Sequence, residues 1–195
     1  MPFCYGIQRE QLDIKWSCLG RVDQIDREMI AAMKSSGCVK LWIGAEAGSN
    51  RMLNLLCKDI TVDRTRKAFR ICREEGLETA GFFMFGLPTE TVEEMEQTFN
   101  LARELRPYPM PLAIYHTLPG AELYDKYNGF DVIQNAAPRE MLFDNACMST
   151  GPVSKKLAQE IYDSVCNYFF NRGPEPDFKE FKRKESELHL CWKLS

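Results

Sequence analysis

Four short apolar runs, each followed by a stretch with helical spacing, constrain this chain more than any other feature. The first is IKWSCL from Ile14, and behind it Asp26 offers an N-cap for a helix carrying Met29, Ile30 and Met33 on one side and stopped by Gly37. The second, CVKLWIGAE from Cys38, alternates Val39, Leu41 and Ile43 as a strand does. A short helix from about Ser49 to Leu56 follows it, then another with Thr61 as N-cap, Ala68, Phe69 and Cys72 on its apolar face, and Gly76 at its end. The third run, LETAGFFMFG, leads into Thr91-x-x-Glu94, the spacing of a capping box, and then Val92, Met95, Phe99, Ala102 and Leu105 at helical period up to Pro107. A fourth run, about Leu112 to Thr117, sits between Pro111 and Pro119, which predicts a short or edge strand, and a brief helical turn follows from Gly120 to Tyr127.

Alternating β and α units with apolar strands predict an α/β fold of parallel strands covered by helices. Ligands in such folds sit at the carboxyl ends of the strands. The positions just after each strand are therefore the candidate site: Arg21, Glu46 to Ser49, Gly86 to Glu90, and His116 to Gly120. From Phe130 the pattern becomes irregular, with Pro138 and Pro152, before a helix capped by Ser154 that carries Leu157, Ile161, Val165 and Phe169 and ends at Gly173. The polar last twenty residues predict a loosely held helix. The expected division is a partial βα core over 1–130 and a helical extension over 131–195.

Charge excludes some partners. A net charge of −3, built from 25 basic and 28 acidic residues without long single-sign runs, offers no electrostatic grip on nucleic acid or anionic lipid. No apolar stretch approaches the roughly 20 residues of a bilayer span, and the first residues lack a signal-peptide pattern, so a cytoplasmic protein is expected. The eight cysteines form no Cys-x-x-Cys pair, and the two nearest in sequence are fourteen residues apart, which predicts buried reduced thiols and no metal site of their own. Trp16, Trp42, Phe82, Phe83 and Phe85 are most simply core, although some could line a cavity. His116, at the end of the last strand, could serve as acid, base or ligand, or simply be packed; His189 has no identifiable partner. There is no Gly-x-Ser-x-Gly and no Gly-x-Gly-x-x-Gly to suggest a hydrolase or a dinucleotide-binding enzyme.

Two turns carry most of the chemistry. Gly44-Ala45-Glu46-Ala47-Gly48-Ser49 places a carboxylate at the mouth of a strand, between a glycine that permits close approach and a serine that can cap the next helix. Such a carboxylate could hold the vicinal hydroxyls of a ribose, or it could be a loop acid pairing with a neighbouring base. Gly86-Leu87-Pro88-Thr89-Glu90-Thr91 reads as a tight turn and helix start.

Taken in order, WSCLGRVDQID, MKSSGC, IGAEAGSNRML, GFFMFGLPTETVEEMEQT and LPGAELY resemble the radical S-adenosylmethionine (radical SAM) superfamily, nearest to members that carry a cobalamin-binding domain. The resemblance spans roughly residues 10 to 127. It implies a partial TIM-like (β/α) barrel with about four of that family's six strands. It also implies S-adenosylmethionine as cofactor, a [4Fe-4S] cluster, reductive cleavage of the sulfonium to a 5′-deoxyadenosyl radical, and a small-molecule or peptide substrate. By the same resemblance Glu46 would lie against the ribose and methionyl part of the cofactor, with Ser49 beside it, and Lys58 would meet the methionyl carboxylate as a point charge without arginine's fork. Gly86, Tyr115 and Leu118 would support the adenine, and Arg21 would face the mouth.

The sequence carries neither that family's Cys-x-x-x-Cys-x-x-Cys motif nor its glycine-glycine-glutamate stretch, so the resemblance places the chain's start just before the third strand. Without three thiolates a cluster has no ligands here. The expectation is a fragment that pairs with a missing N-terminal half or with itself through an open sheet edge, the alternative being a non-catalytic half-barrel that acts as a scaffold.

Overall fold

A computed structural model describes residues 2–116, 120–127 and 153–193, with side chains up to 187. Four parallel strands stand in chain order: β1 (Trp16–Gly20), β2 (Cys38–Glu46), β3 (Glu78–Phe85) and β4 (Leu112–Ile114). Between them run α2 (Arg27–Ser35), then α3 (Asn50–Leu55) with α4 (Val62–Glu74), then α5 (Val92–Leu105). The expected α/β class and the parallel order both hold. The caps read from the sequence are made: Asp26 accepts from the Met29 amide, Ser49 from Met52, Thr61 from Arg64, and Thr91 with Glu94 closes a capping box.

Among the described residues the helices cover one face of the sheet. On the covered face Leu41, Ile43, Ala45, Phe83, Phe85 and Ile114 are buried with Ile30, Met52, Phe69, Met95 and Phe99 from the helices. The other face carries Leu19, Trp42, Gly44, Phe82, Met84 and Ala113, none of them fully buried. In chain order each strand is followed by a crossover that returns on the same side, and a run of such units curls into part of a barrel whose concave side has no helix. Val39, expected inside with Leu41 and Ile43, is exposed at the start of β2.

Other differences are local. An unforeseen helix, α1 (Pro2–Arg9), seats Cys4 and Ile7 against the core while Phe3 stacks edge-on to Trp16. Trp16 donates its ring N–H to the Ser36 carbonyl at 2.8 Å. The turn after β4 forms α6 (Glu122–Lys126). α7 (Lys155–Asn171) begins at its Ser154 cap as expected, but the left-handed residue that ends it is Arg172, not Gly173. α8 (Phe178–Lys193) is held, not loose: Phe178 and Phe181 are buried against α5, and Lys182 pairs with Glu93 and Glu96. Tyr162 of α7 donates to the Leu112 carbonyl of β4 at 3.1 Å, and its ring meets Phe85. Both C-terminal helices thus share the core of the sheet.

Among the described residues no helix is long and apolar enough to cross a membrane. Cys4, Cys38 and Cys72 are buried as expected, and burial pushes the Cys38 thiol up to about 11 and the Cys72 thiol up to about 12. Cys57 departs from that expectation and is exposed, its thiol 3.5 Å from the Glu122 carboxylate.

Candidate functional site

The open face of the sheet holds a cavity of about 340 Å³. Its walls are the strand residues Leu19, Trp42, Phe82, Met84 and Ala113; its charged groups are Arg21, Asp23, Glu46 and Lys58. The chain therefore places an apolar floor under a rim of paired charges at the carboxyl ends of the strands, the arrangement of a small-molecule site.

Glu46 is the most constrained of these. The ladder between β2 and β3 slips between Gly44 and Glu46, and the Ala47 amide bonds back to the Ala45 carbonyl at 2.8 Å. That three-residue turn holds Glu46 at a φ of 63°, a conformation that a side chain adopts only at a cost of about 1–3 kcal/mol. Ala45 and Ala47 are buried on either side, so the turn cannot relax by swinging outward. The glutamate side chain folds back over Gly44, where an added Cβ would stand 2.4 Å from Oε1; a glycine is required there for this placement. The carboxylate is 14% exposed and accepts from Lys58 Nζ at 2.9 Å, while Lys58 remains 40% exposed. Of the two readings of Glu46 left open by the sequence, this contact shows the loop acid paired with a base, and the pair faces a cavity.

Arg21 follows β1 directly and its guanidinium grips Asp23 through Nε (3.0 Å) and Nη2 (3.1 Å). That hydrogen bond holds the Asp23 carboxyl below its usual range. Arg21, Glu46 and Lys58 are thus brought to one cavity. Ser49 is not among its walls: the hydroxyl caps α3 and donates to Glu94 at 2.8 Å. Gly86, at a φ of 72°, begins the turn after β3, and Tyr115 bonds through its amide to the Phe85 carbonyl at 2.7 Å while its ring packs on the core; neither lines the cavity. Leu118 lies outside the described residues, as do Cys147 and the side chains of Cys191 and His189. His116 lies two residues beyond β4 and is half-buried.

Chain-local patterns did not disclose several residues of the site. Trp42 and Phe82, for which spacing leaves core and cavity lining both open, stand 5.7 Å apart as neighbouring rings on the cavity wall. Their alternation with Leu41, Ile43 and Phe83 was visible; which face would be covered was not. Arg51 gave no signal at all, yet it binds the turn after β3 through Thr89 and Glu94. Burial pushes Glu94 up, but the Arg51 guanidinium, the Thr91 amide and the Ser49 hydroxyl outweigh it and hold that carboxyl below its ordinary range.

Glu90 is the opposite case. It is buried, its Oε2 accepts from the Leu87 amide at 3.0 Å, and Oε1 has no partner among the described residues. Burial raises it to about 8 against the pull of the Leu87 and Gly86 amides. Because the folded value lies above the unfolded one, the acid's contribution to stability is complete below pH 4.5 and is lost as pH rises through about 8. Denaturant titrations at pH 6 and pH 9 are expected to show wild type losing ~2–3 kcal/mol more than Glu90→Gln over that interval. Parallel losses in the two proteins would show that Glu90 does not hold its proton.

The model of the family described as the radical SAM superfamily matches residues 5–102. The chain belongs to the radical SAM superfamily. The family is one of S-adenosylmethionine and [4Fe-4S] chemistry, and the matched segment contains β1 to β3, the Glu46 turn and Lys58. An uncharacterised methyltransferase of Pyrococcus horikoshii is 34% identical over 119 residues, which is 61% of this chain and 26% of the relative. Among solved structures, coproporphyrinogen III oxidase (HemN) from Escherichia coli, a radical SAM enzyme, covers 88% of this chain with 37% of its own, at a TM-score of 0.62 and 16% identity. The radical SAM methyltransferase TsrM from Kitasatospora setae, solved with cobalamin and a [4Fe-4S] cluster, covers 70% of this chain with 29% of its own, at a TM-score of 0.59 and 18% identity. These two likenesses show the fold, that of the TIM-like radical SAM barrels. The chain spans about a quarter of the length of the first curated relatives it matches.

Proposed function

We propose that this radical SAM chain contributes the ribose and adenine side of an S-adenosylmethionine site whose [4Fe-4S] cluster is carried outside this sequence. The observation that supports it most is Glu46, a carboxylate held by a strained turn at the carboxyl end of β2, facing a cavity and bonded to Lys58. A carboxylate accepts from two hydroxyls at once, which suits a ribose diol, and the Lys58 ammonium has N–H donors left for a ligand carboxylate. Trp42, Phe82 and Met84 offer an apolar floor for the uncharged parts of cofactor or substrate. Arg21, with Asp23, lines the same cavity and would face cofactor or substrate there. Binding and orienting are the tasks of these residues.

The described thiols of this chain do not fit a cluster. Among the described residues no group of three ligating side chains could hold a metal ion, no cysteine lines the cavity, and Cys38 and Cys72 are buried and held protonated. Cleavage of the sulfonium is chemistry the cluster supplies when bound, and no step of it falls to these residues. β1 pairs only with β2 among the described strands, and Leu19 on it is 76% exposed, so this edge is the proposed seat of a cluster-bearing partner segment or of a second copy. The likeness to TsrM, solved with cobalamin, extends the proposal to a cobalamin-associated subtype.

Calorimetric titration of the purified chain with S-adenosylmethionine tests this. Wild type is expected to bind, and Glu46→Ala and Lys58→Ala each to weaken binding on the order of ten- to a hundredfold, the loss of one charge-assisted hydrogen bond. No heat of binding at millimolar ligand would leave a half-barrel that serves as a scaffold.

A further inference from the structure

The turns after β2 and β3 at the carboxyl end of the sheet are each strained, and Arg51, five residues beyond Glu46 along the chain, ties the first to the second. Glu46 in the first and Thr89 in the second are non-glycine residues with φ of 63° and 62°. Such conformations persist only where the surroundings over-determine them. Arg51, in the first turn of α3, sends Nη1 to Thr89 Oγ1 (3.1 Å), Nη2 to the Thr89 carbonyl (2.7 Å) and Nε to Glu94 Oε1 (2.8 Å), and Nη2 also meets Glu94 Oε2. Glu94 is itself saturated, since Oε1 accepts from Ser49 (2.8 Å) and Oε2 from the Thr91 amide (3.1 Å). A parallel stitch joins the Gly48 amide to Thr98 Oγ1 at 2.9 Å.

An exposed ion pair would carry little weight, and Arg51 is 52% exposed. This one differs in its partner and its geometry. Glu94 is 11% exposed, and the planar fork serves a carboxylate, a hydroxyl and a carbonyl at once, which no lysine can do. The residues it joins are 38 and 43 positions away, so the contact fixes tertiary placement and not a local helix. Arg51 itself is absent from the cavity wall, so it acts through others.

We propose that Arg51 is a positioning residue that anchors the start of α3, and with it the Glu46 turn just before it, to the Gly86–Thr91 turn and α5, and so fixes where Glu46 stands on the wall of the cofactor site. The role rests on the S-adenosylmethionine reading above. Misplacing one wall by a fraction of an ångström to an ångström leaves the groups present but out of register, and affinity falls on the order of tenfold or more.

The test pairs two measurements on the full chain, wild type, Arg51→Gln, Arg51→Lys and Glu46→Ala, each well below its own melting midpoint. Amide hydrogen exchange reads the turns without ligand, and calorimetry reads affinity for S-adenosylmethionine. Expected for Arg51→Gln is faster exchange in both 46–49 and 86–91 together with at least about tenfold weaker binding; Arg51→Lys recovers only part of each, because it keeps the charge and not the fork. Unchanged exchange over 86–91, or binding within twofold of wild type alongside a lowered melting midpoint, would overturn the anchoring role and leave an ordinary structural pair. If wild type binds and only Glu46→Ala weakens it, the cofactor reading stands and the anchoring role fails. A wild-type chain that takes no S-adenosylmethionine overturns both.

Discussion

Phe99→Ala is expected to lower the stability of the chain by about 4 kcal/mol, the largest loss from any single side-chain truncation proposed for it. The ring is fully buried on α5 and meets Tyr168 at 5.1 Å and Phe169 at 5.4 Å from α7, and Phe178 at 5.5 Å from α8. Arg103 lies over the same ring, 5.2 Å from its centroid. Removing it deletes the transfer energy of a phenyl group and opens a cavity between three helices that cannot close without moving all of them. Each aromatic contact adds ~0.5–1.5 kcal/mol beyond buried area. Chemical denaturation of Phe99→Ala beside Phe99→Leu is the check: leucine is expected to recover more than half of the loss. A loss under about 1 kcal/mol for alanine would mean that α7 and α8 are not held through this ring. Because β4 and α5 carry these helices, the same variant is expected to loosen the rim only indirectly, leaving the Glu46–Lys58 pair intact.

Gly48→Ala is the second large effect, and it arises from space alone. An added Cβ would stand 2.2 Å from the Gln97 carbonyl oxygen, 2.3 Å from its carbon and 2.5 Å from the Thr98 nitrogen. All three are backbone atoms of α5, so no side chain can rotate away; either α5 or the turn after β2 must shift. Overpacking of this kind costs ~3 kcal/mol or more, and it also pulls the Gly48 amide from Thr98. Gly6→Ala is the contrast, since nothing lies within 4 Å of its added Cβ and alanine suits the middle of α1 by ~0.5–1 kcal/mol. Thermal melts of the two variants are expected to move in opposite directions. Equal midpoints would mean that the turn after β2 is looser than its packing implies.

The consequence for the site is that its rim depends on backbone contact as much as on charge. Gly44 admits the Glu46 carboxylate, and Gly48 brings α5 against the turn. A carboxylate, a serine and two glycines were legible as a constellation in residues 44–49, whereas Lys58 entered only through the resemblance, as a partner for a ligand carboxylate and not for Glu46. What the spacing could not disclose is that Ser49 turns away from the cavity toward Glu94, because its only free hydroxyl proton is claimed by a buried carboxylate 45 positions later.

The chain's own order of residues determined the alternation of strands and helices, every cap that closes a helix after β1, β2 and β3, and the end of the sheet at which to look. Those follow from local rules: a side-chain oxygen within reach of its own amides, an apolar stripe at 3.6 residues, a proline that cannot continue a helix. Tertiary structure alone decided which face of the sheet stays open, that Trp42 and Phe82 line a cavity while Phe83 and Phe85 make the core, that α8 docks through Phe178 and Phe181, and that Arg51 reaches the far turn. The reason is physical: in a parallel sheet both faces of a strand read as apolar, and only the packing of the returning helices breaks that symmetry. A long-range ion pair leaves no trace in spacing, since it depends on where two turns meet in space and not on their separation along the chain.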